Sequence, residues 1–118
     1  MISVPVGVRV FIAARPVDFR KGMDGLAALV QEVLRADPFA GDVYVFRAKR
    51  ADRVKLLLYD GSGLILVSKR LEAGRFTWPS PADGRVLISA AQLAALLEGL
   101  PWNRMPARPP PPRPTKAC

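Results

Sequence analysis

The sequence contains no histidine and only one cysteine, and these two scarcities exclude whole classes of chemistry. Without an imidazole there is no histidine general base and no metal site with a histidine ligand. The single cysteine, Cys118, cannot form an internal disulfide, and a position at the very end of the chain is a poor place for a nucleophilic thiol. One unpaired thiol is typical of a reducing compartment, so we expect a cytoplasmic protein.

Long apolar runs and phosphate-binding loops are also missing. The longest apolar runs, such as Leu56–Tyr59 and Leu64–Val67, are far too short to cross a bilayer. The first residues lack the charged start and apolar stretch of a signal peptide. Neither of the glycine-rich patterns that hold nucleotide phosphates occurs. We therefore expect no membrane partner and no cofactor.

The prolines are distributed unevenly along the 118 residues, which bears on domain organisation. Seven of the 12 prolines fall in residues 101–118. Half of the residues are hydrophobic and about a quarter are charged, as in ordinary globular domains. The sequence predicts a single domain over residues 1–104, followed by a flexible, basic, proline-rich tail over residues 105–118.

Three short runs in the middle of the chain are rich in β-branched, aromatic and leucine residues. They span residues 43–48, 53–59 and 64–71, and linkers of hairpin length join them. These runs predict a three-stranded antiparallel meander. A symmetric turn at residues 60–63 would place Tyr59 opposite Leu64, Lys55 opposite Ser68 and Arg53 opposite Arg70.

Two more strands and two helices are predicted around the meander. Residues 8–13 and 85–88 have the composition of short strands, and apolar side chains at helical spacing over residues 23–34 predict a helix, with Asp18 or Asp24 as candidate caps. A capping-box pattern at Ser89 predicts a second helix that runs to Leu100. The expected fold class is α+β, an antiparallel meander sheet of about four to five strands packed against two helices that both cover one face.

The charge is strongly basic and concentrated. Lys and Arg total 18 against 10 Asp and Glu, for a formal net charge of +8. Residues 47–75 hold eight basic side chains and three acidic ones, and residues 101–118 hold four basic side chains and no acid. The predicted meander would gather the central cations at one end of the sheet, which favours an anionic partner, with nucleic acid first and an acidic protein surface second. The candidate nucleic-acid contacts are Arg47, Lys49, Arg50, Arg53, Lys55, Lys69 and Arg70, with Arg75 as a weaker candidate.

Two alternative readings of the charged residues have to be weighed. The cations could be solvated charges that protect sheet edges from pairing, although their clustering exceeds what that use needs. A metal-dependent nuclease would need two to four converging carboxylates. The candidate carboxylates are Asp18, Asp24, Asp60, Glu72 and Asp83. A helix cap, a glycine-containing turn and an ion pair explain most of these acids more simply, so we expect no metal, no catalytic residues and no enzymatic activity.

Several blocks of sequence, in their order and spacing, resemble one protein family. They are D-F-R-K-G-M-D-G-L-A-A-L-V at 18–30, D-P-F-A-G at 37–41, V-F-R at 45–47, D-R-V-K-L-L at 52–57, Y-D-G-S-G at 59–63 and K-R-L-E-x-G-R-F-x-W-P at 69–79. Together they resemble the small accessory protein TnpB, the second reading frame of insertion sequence family sixty-six of bacterial mobile elements. Tyr59 and Ser68 depart mildly from that pattern, which has aromatic residues at both positions, the first a tryptophan.

The resemblance implies a role in transposition beside a separate, larger transposase that carries the strand-transfer carboxylates. It supplies no catalytic residues, so the charge distribution is what points to a mechanism. The leading hypothesis is a non-enzymatic, nucleoid-associated accessory protein that binds DNA, such as transposon ends, through its basic sheet end. The alternative is a protein-interaction module that bridges or recruits the transposase without direct DNA contact. Oligomeric state stays open, because a sheet of short strands leaves an edge that could pair between chains.

Overall fold

The computed structural model describes residues 7–104, and the elements in this range lie close to their predicted bounds. The strands are β1 (Val10–Ala13), β2 (Val43–Arg47), β3 (Arg53–Tyr59), β4 (Leu64–Arg70) and β5 (Arg85–Ile88). The helices are α1 (Met23–Glu32), between β1 and β2, and α2 (Ala90–Leu97), after β5. The α+β class is therefore confirmed, while the predicted flexible tail lies outside the described residues. Neither helix in this range is long and apolar enough to cross a membrane.

The sheet has five strands in the order β4-β3-β2-β1-β5. Strands β2, β3 and β4 form the predicted antiparallel meander, and the β3–β4 register pairs Tyr59 with Leu64 and Arg53 with Arg70, as predicted. Strand β5 also pairs antiparallel, with β1.

One strand pair is parallel, so the sheet is mixed rather than purely antiparallel. Val10 of β1 pairs with Val43 of β2, and Ala13 pairs with Phe46. The reason lies in the connection, because α1 carries the chain back across the sheet before β2 begins. A helical crossover of this kind joins parallel strands, whereas short turns join antiparallel ones.

The expectation that both helices cover one face of the sheet is wrong, because they cover opposite faces. Helix α1 buries Leu26, Ala27 and Val30 in a cluster that contains Phe46 of β2. Helix α2 buries three leucines in a second cluster on the other face. All four residues of β1 and the first four of β2 are buried. A strand that is apolar on both faces needs a cover on each side, which explains why the two helices lie on opposite faces of the sheet.

The two helix starts differ in their capping. Ser89 accepts a hydrogen bond from the Gln92 amide at 3.0 Å and its own amide donates to Gln92 Oε1 at 2.9 Å, which confirms the predicted capping box. Helix α1 begins instead at Gly22, with no side-chain cap. The prediction of an Asp18 or Asp24 cap is therefore wrong. Asp18 forms an ion pair with Arg20 instead. Asp24 lies in the first turn of α1, where its negative charge interacts favourably with the helix dipole.

Candidate nucleic-acid interface

Three strands of the meander meet at one end of the sheet, and each contributes an arginine there. Arg47 ends β2, Arg53 begins β3 and Arg70 ends β4, with Arg53 and Arg70 directly opposite each other. Lys49 and Arg50 lie in the short turn between β2 and β3. We call this region, defined by these five residues, the basic end.

The strand cations in and next to the basic end do not all share a face, because neighbouring side chains of a strand point to opposite sides. Arg47 and Lys69 lie on the face covered by α2, since Lys69 pairs with the buried Val54 of that cluster. Lys55 and the Arg53–Arg70 pair lie on the α1 face. The predicted candidates therefore come together at one end but divide between two sides of it.

Lys55 is held internally by the loop between β1 and α1. Its ammonium group donates to the carbonyl oxygens of Phe19 at 2.7 Å and Lys21 at 3.1 Å, and it lies 5.0 Å from the centre of the Phe19 ring. These contacts use the charge to fix a loop onto the sheet. Lys55 is thus a structural residue, and little of its ammonium group is left for an external partner.

Lys69 is also used within the fold, at the end of α2. Its ammonium group donates to the carbonyl oxygen of Leu97 at 2.7 Å. The last carbonyls of a helix have no partner inside the helix and carry its negative dipole end, so a cation there stabilises the helix. Lys69 therefore fixes α2 to the edge of the sheet.

Arg47 is packed against an aromatic side chain. Its guanidinium group lies 5.6 Å from the centre of the Trp78 ring, and its Nε donates to the Ala48 carbonyl at 3.1 Å. Burial lowers the pKa of the Arg47 guanidinium from its ordinary value. The Trp78 indole N–H in turn donates to Ala51 at 3.3 Å, so Arg47 and Trp78 together support the turn that carries Lys49 and Arg50.

Asp52 lies between two arginines of the basic end. Its carboxylate is 3.4 Å from the Arg50 guanidinium and 3.8 Å from Arg53 Nε. The Arg53 contact is too long for a hydrogen bond. Asp52 Oδ1 and Arg53 Nε are both buried, and neither has a hydrogen-bond partner within the described part of the chain. A single acid thus partly balances two arginines, and most of the Arg50 side chain remains exposed.

Three other cations at this end are open to solvent. The acid beside Arg70 is Glu72, at 3.5 Å, and both side chains are largely exposed, so this ion pair is weak. Lys49 and Arg75 are exposed and make no side-chain hydrogen bond or ion pair with any residue in the range 7–104. The amide of Phe76 donates to Ala51 at 2.9 Å, which places Arg75 beside the turn of Lys49 and Arg50.

The structure adds cations that the sequence did not single out. The Val17 amide donates to the Arg47 carbonyl at 2.8 Å, and this contact, with the bonds of Lys55, brings Arg20 and Lys21 to the basic end. In the sequence these two residues fall in a segment with no net charge, so counting charges along the chain gave no signal for them. The signal that could have found them is the β1–α1–β2 connection, which returns the loop after β1 to the end of β2.

Arg20 is occupied by an acid in its own loop. The Arg20 guanidinium donates to Asp18 Oδ2 at 2.8 Å, and the backbone amide of Arg20 donates to Oδ1 at 3.0 Å. These hydrogen bonds hold the pKa of Asp18 at about 2. Lys21 has no such partner among residues 7–104, and its side chain is exposed.

A cleft lies between the loop of Asp18 and the turn of Lys49. It has a volume of about 510 Å³, and its walls include Phe19, Arg50 and Arg53. One wall comes from the β1–α1 loop and the other from the β2–β3 turn, so the cleft exists only in the folded chain. The cations that line it are Lys49, Arg50 and Arg53. We name five exposed residues at this end of the molecule the exposed cations: Lys21, Lys49, Arg50, Arg70 and Arg75.

The acids of the described region offer no metal centre. No group of three or more cysteine or acidic side chains that could hold a metal ion occurs in residues 7–104. Asp18 and Glu72 bind arginines, and Asp60 accepts hydrogen bonds from the amides of Ser62 and Gly63 in the β3–β4 turn, which lowers its pKa.

Comparison with known proteins places the chain in a family. The model of the IS66 Orf2-like protein family matches residues 8–107, and the chain belongs to this family of insertion-sequence accessory proteins. Two proteins of Sinorhizobium fredii strain NGR234 are similar to it. One, described as the uncharacterized protein y4jC, is 49% identical over the full length of both chains, and the other, y4hO, is 46% identical over 87% of this chain and 90% of its own. No solved structure matches the chain significantly.

Proposed function

We propose that the protein supports transposition of its insertion sequence by binding DNA, without catalysis, through phosphate contacts made by the exposed cations. The observation behind this proposal is that exposed cations from four separate stretches of chain come together at one end of the sheet, with few acids to balance them. Cations held together in this way cost folding free energy, and phosphates would compensate that cost. The transposase of the same element would act on the same DNA, in the cytoplasm and at the nucleoid.

The proposal divides the eight sequence candidates by their contacts. Lys49, Arg50, Arg70 and Arg75 would contact phosphates directly, joined by Lys21. Arg53 lines the cleft beside Asp52 and would contribute in part. The contacts of Arg47, Lys55 and Lys69 are internal, so these three would shape the surface without touching DNA. Because phosphate contacts carry no sequence information, we expect low sequence specificity.

The salt dependence of DNA binding tests this proposal. Each phosphate neutralised on duplex DNA contributes about −0.9 to the slope of log K against log salt concentration. Replacing Lys49, Arg50 and Arg75 together with glutamine should therefore make the slope less steep by about 2 to 3 and weaken binding to random and element-end duplexes alike. Fluorescence anisotropy at several salt concentrations measures both quantities.

A matched control uses two exposed arginines outside this set of cations, Arg35 and Arg104. Their replacement with glutamine should change the slope much less than the triple replacement does. An unchanged slope in the triple variant, with the protein folded, would reject the exposed cations as the DNA contact. Turnover of DNA by the purified protein with Mg²⁺ or Mn²⁺ would contradict the non-catalytic part of the proposal.

A second candidate function is docking on another protein of the element, and one feature favours it. An apolar groove of about 530 Å³ lies beside the end of α1, and Leu29, Val33, Arg15 and Arg85 are among the residues that line it. Val33 is 62% exposed, so it presents an apolar side chain to solvent beside this groove. An acidic segment with apolar side chains, such as part of the transposase, would fit this chemistry.

Substitution of Val33 with lysine separates the two functions. If the groove binds the transposase, this variant should lose co-purification with it after nuclease digestion, while its DNA affinity stays the same or rises. The triple glutamine variant of the exposed cations should behave in the opposite way. If Val33→Lys still binds both the transposase and DNA, the groove is not the docking site for the transposase.

A further inference from the structure

Strand β4 forms one edge of the sheet, and it is long for an edge strand. It spans seven residues without a proline, and within residues 7–104 its sheet neighbour is β3 alone. The other edge strand, β5, has only four residues. A long edge strand presents unpaired backbone groups to solvent and is a ready template for pairing with another chain.

The phase of the β3–β4 ladder identifies which backbone groups point outward. The Asp60 amide donates to Gly63 at one end of the hairpin, at 3.2 Å, and the Leu71 amide donates to Asp52 at the other, at 2.9 Å. Because hydrogen-bonded and non-hydrogen-bonded pairs alternate in an antiparallel ladder, every second residue of β4 turns its N–H and C=O away from β3. The outward residues are Leu64, Leu66, Ser68 and Arg70.

These outward groups have no partner in the described part of the chain. None of the hydrogen bonds from loops, turns or side chains within residues 7–104 ends on them. Charged side chains and prolines, which usually protect an edge strand from pairing, are also absent from the first half of β4. Leu64–Val67 carries no charge, Ile65 is 37% exposed, and the only charged residues, Lys69 and Arg70, stand at the far end.

The charge distribution limits how a second copy could pair with this edge. Parallel pairing would set the basic end of one copy beside the basic end of the other, which like charges disfavour. Antiparallel pairing in which Val67 of one copy lies opposite Val67 of the other would instead place Lys69 opposite Ile65 and Arg70 opposite Leu64 of the second copy. It would keep all seven residues paired and set each outward N–H across from an outward C=O.

We propose that two copies of the chain associate through β4, antiparallel and with the two-fold axis at Val67, to form one continuous ten-stranded sheet. Every outward residue of one copy then meets an outward residue of the other, which allows about eight new backbone hydrogen bonds. The contact is small beside an ordinary obligate interface, so the dimer is in exchange with monomer.

The dimer has a consequence that, unlike the pairing itself, rests on the proposed DNA binding. Antiparallel strands point their ends in opposite directions, so the two basic ends lie at opposite extremes of the joined sheet. Such a dimer presents two separate phosphate-binding surfaces and holds two DNA segments apart but in one complex. Two element ends are the substrate that such an arrangement fits.

Self-association measured without DNA tests the pairing. Sedimentation velocity over a wide range of protein concentration should show a reversible monomer–dimer equilibrium. Ser68→Pro removes an outward N–H, so the fold loses no internal ladder bond, and proline is tolerated on the open side of an edge strand. This variant should raise the dimer dissociation constant about tenfold or more, since each dimer loses two hydrogen bonds. Ser68→Thr keeps the N–H and should leave the dissociation constant nearly unchanged.

Cysteine cross-linking tests the register. In a Cys118→Ser background, Val67→Cys places two thiols opposite each other in a non-hydrogen-bonded pair, close enough for a disulfide under mild oxidation. Ser68→Cys places its thiols diagonally, beyond the reach of a disulfide, and should not cross-link. Cross-linking through residue 68 and not 67 would overturn the register, and a monomer at every concentration would overturn the dimer.

Failure of the dimer and failure of DNA binding are distinguishable. A monomer that keeps the salt-dependent DNA binding disproves the pairing alone. A dimer that binds no DNA disproves the proposed function and leaves the pairing intact. If both hold, the native dimer should bring two differently labelled duplexes into one complex, and Ser68→Pro should bind each duplex without bridging them.

Discussion

Lys55 and Lys49 carry the same charge but have different roles at the basic end. Lys55 satisfies two backbone carbonyls of the β1–α1 loop, whereas Lys49 extends into solvent. Replacing Lys55 with methionine should lower the free energy of unfolding by about 1 to 2 kcal/mol, because the Phe19 and Lys21 carbonyls lose a charged donor. Urea denaturation monitored by tryptophan fluorescence measures the change.

Lys49→Met is the matched control for this prediction. Surface substitutions that remove no contact usually change stability by less than about 0.5 kcal/mol, and we expect that small effect here. Equal losses in the two variants would show that the Lys55 hydrogen bonds do not fix the loop.

Asp18 is the residue whose titration reports on the loop directly. Hydrogen bonds from the Arg20 side chain and amide favour its charged form and hold its pKa at about 2, below the ordinary 3.8. Since the folded pKa is depressed, the stabilising contribution of this contact is complete above about pH 4 and is lost as the pH falls through about 2. Arg20→Gln should raise the Asp18 pKa towards 3.8 while the amide bond keeps it somewhat lower. Carboxyl-carbon NMR titration measures this shift.

The control for the Asp18 titration is Lys21→Gln. Lys21 contributes only a weaker charge effect than the Arg20 hydrogen bonds, so the Asp18 pKa should move less in this variant. A depressed Asp18 pKa that persists unchanged in Arg20→Gln would mean that the loop does not hold the geometry described.

At the scale of the element, the end of α1 contains an unusual backbone conformation. Arg35 has a φ of +54°, in the left-handed region, and the chain turns there so that the Ala36 amide reaches the Val30 carbonyl at 3.0 Å. This conformation costs a residue with a Cβ about 1 to 2 kcal/mol, and glycine avoids the cost. Because glycine also gains freedom in the unfolded chain, the net gain of Arg35→Gly should be about 0.5 to 1 kcal/mol.

Arg35→Ala is the variant that isolates the backbone effect. It removes the same side chain but keeps the Cβ, so thermal and urea unfolding should show no comparable gain. If alanine stabilised the protein as much as glycine does, the side chain rather than the conformation would be responsible.

The elements themselves were predictable because their signals are local. Runs rich in β-branched, aromatic and leucine residues, joined by linkers of hairpin length, predicted the meander, and the symmetric turn at residues 60–63 predicted its register down to the Arg53–Arg70 pair. The capping box at Ser89 marked the start of α2 for the same reason. What could not be read locally was the end of each helix, and both are shorter than their apolar spacing predicted.

The arrangement of the elements depended on signals that are not local. The parallel pairing of β1 with β2 follows from the helix between them, and the placement of the helices on opposite faces follows from strands that are apolar on both sides. The second signal is present in the runs Val10–Ala13 and Val43–Phe46, which do not alternate between apolar and polar residues. The prediction of a sheet covered on one face did not use it.

The candidate site was predictable in position but not in composition. Strand pairing brings the cations of residues 47–70 to one end, which charge spacing and the meander predicted. Which cations remain available depends on distances to backbone groups, such as the 2.7 Å from Lys69 to the carbonyl of Leu97. No pattern of residue types encodes such a contact, and Lys21 reaches the site only through the path of its loop.

At the scale of the whole molecule, attraction and repulsion between charges compete. Five ion pairs lie within residues 7–104, and the one with the most buried acid joins Arg9 to Asp42 at 2.9 Å. Against them stand the crowded cations of the basic end, with Arg53 and Arg70 opposite each other across the ladder. Four of the five pairs join residues one or two positions apart in sequence, so these pairs form in part without the complete fold. Repulsion at the basic end, by contrast, arises from folding itself.

Repulsion should therefore dominate the response of the free protein to salt. Since the screening length falls from about 30 Å at 0.01 M to about 3 Å at 1 M, added NaCl weakens long-range repulsion more than close ion pairs. We expect the melting temperature without DNA to rise with NaCl concentration, and to rise less in the Lys49, Arg50 and Arg75 triple glutamine variant, which should be at least as stable as the native protein at low salt. Differential scanning fluorimetry of both proteins measures the two slopes, and their difference removes any general effect of the salt. A melting temperature that falls with salt in the native protein would mean that the ion pairs outweigh the repulsion, and the cations of the basic end would then need no external anion to offset them.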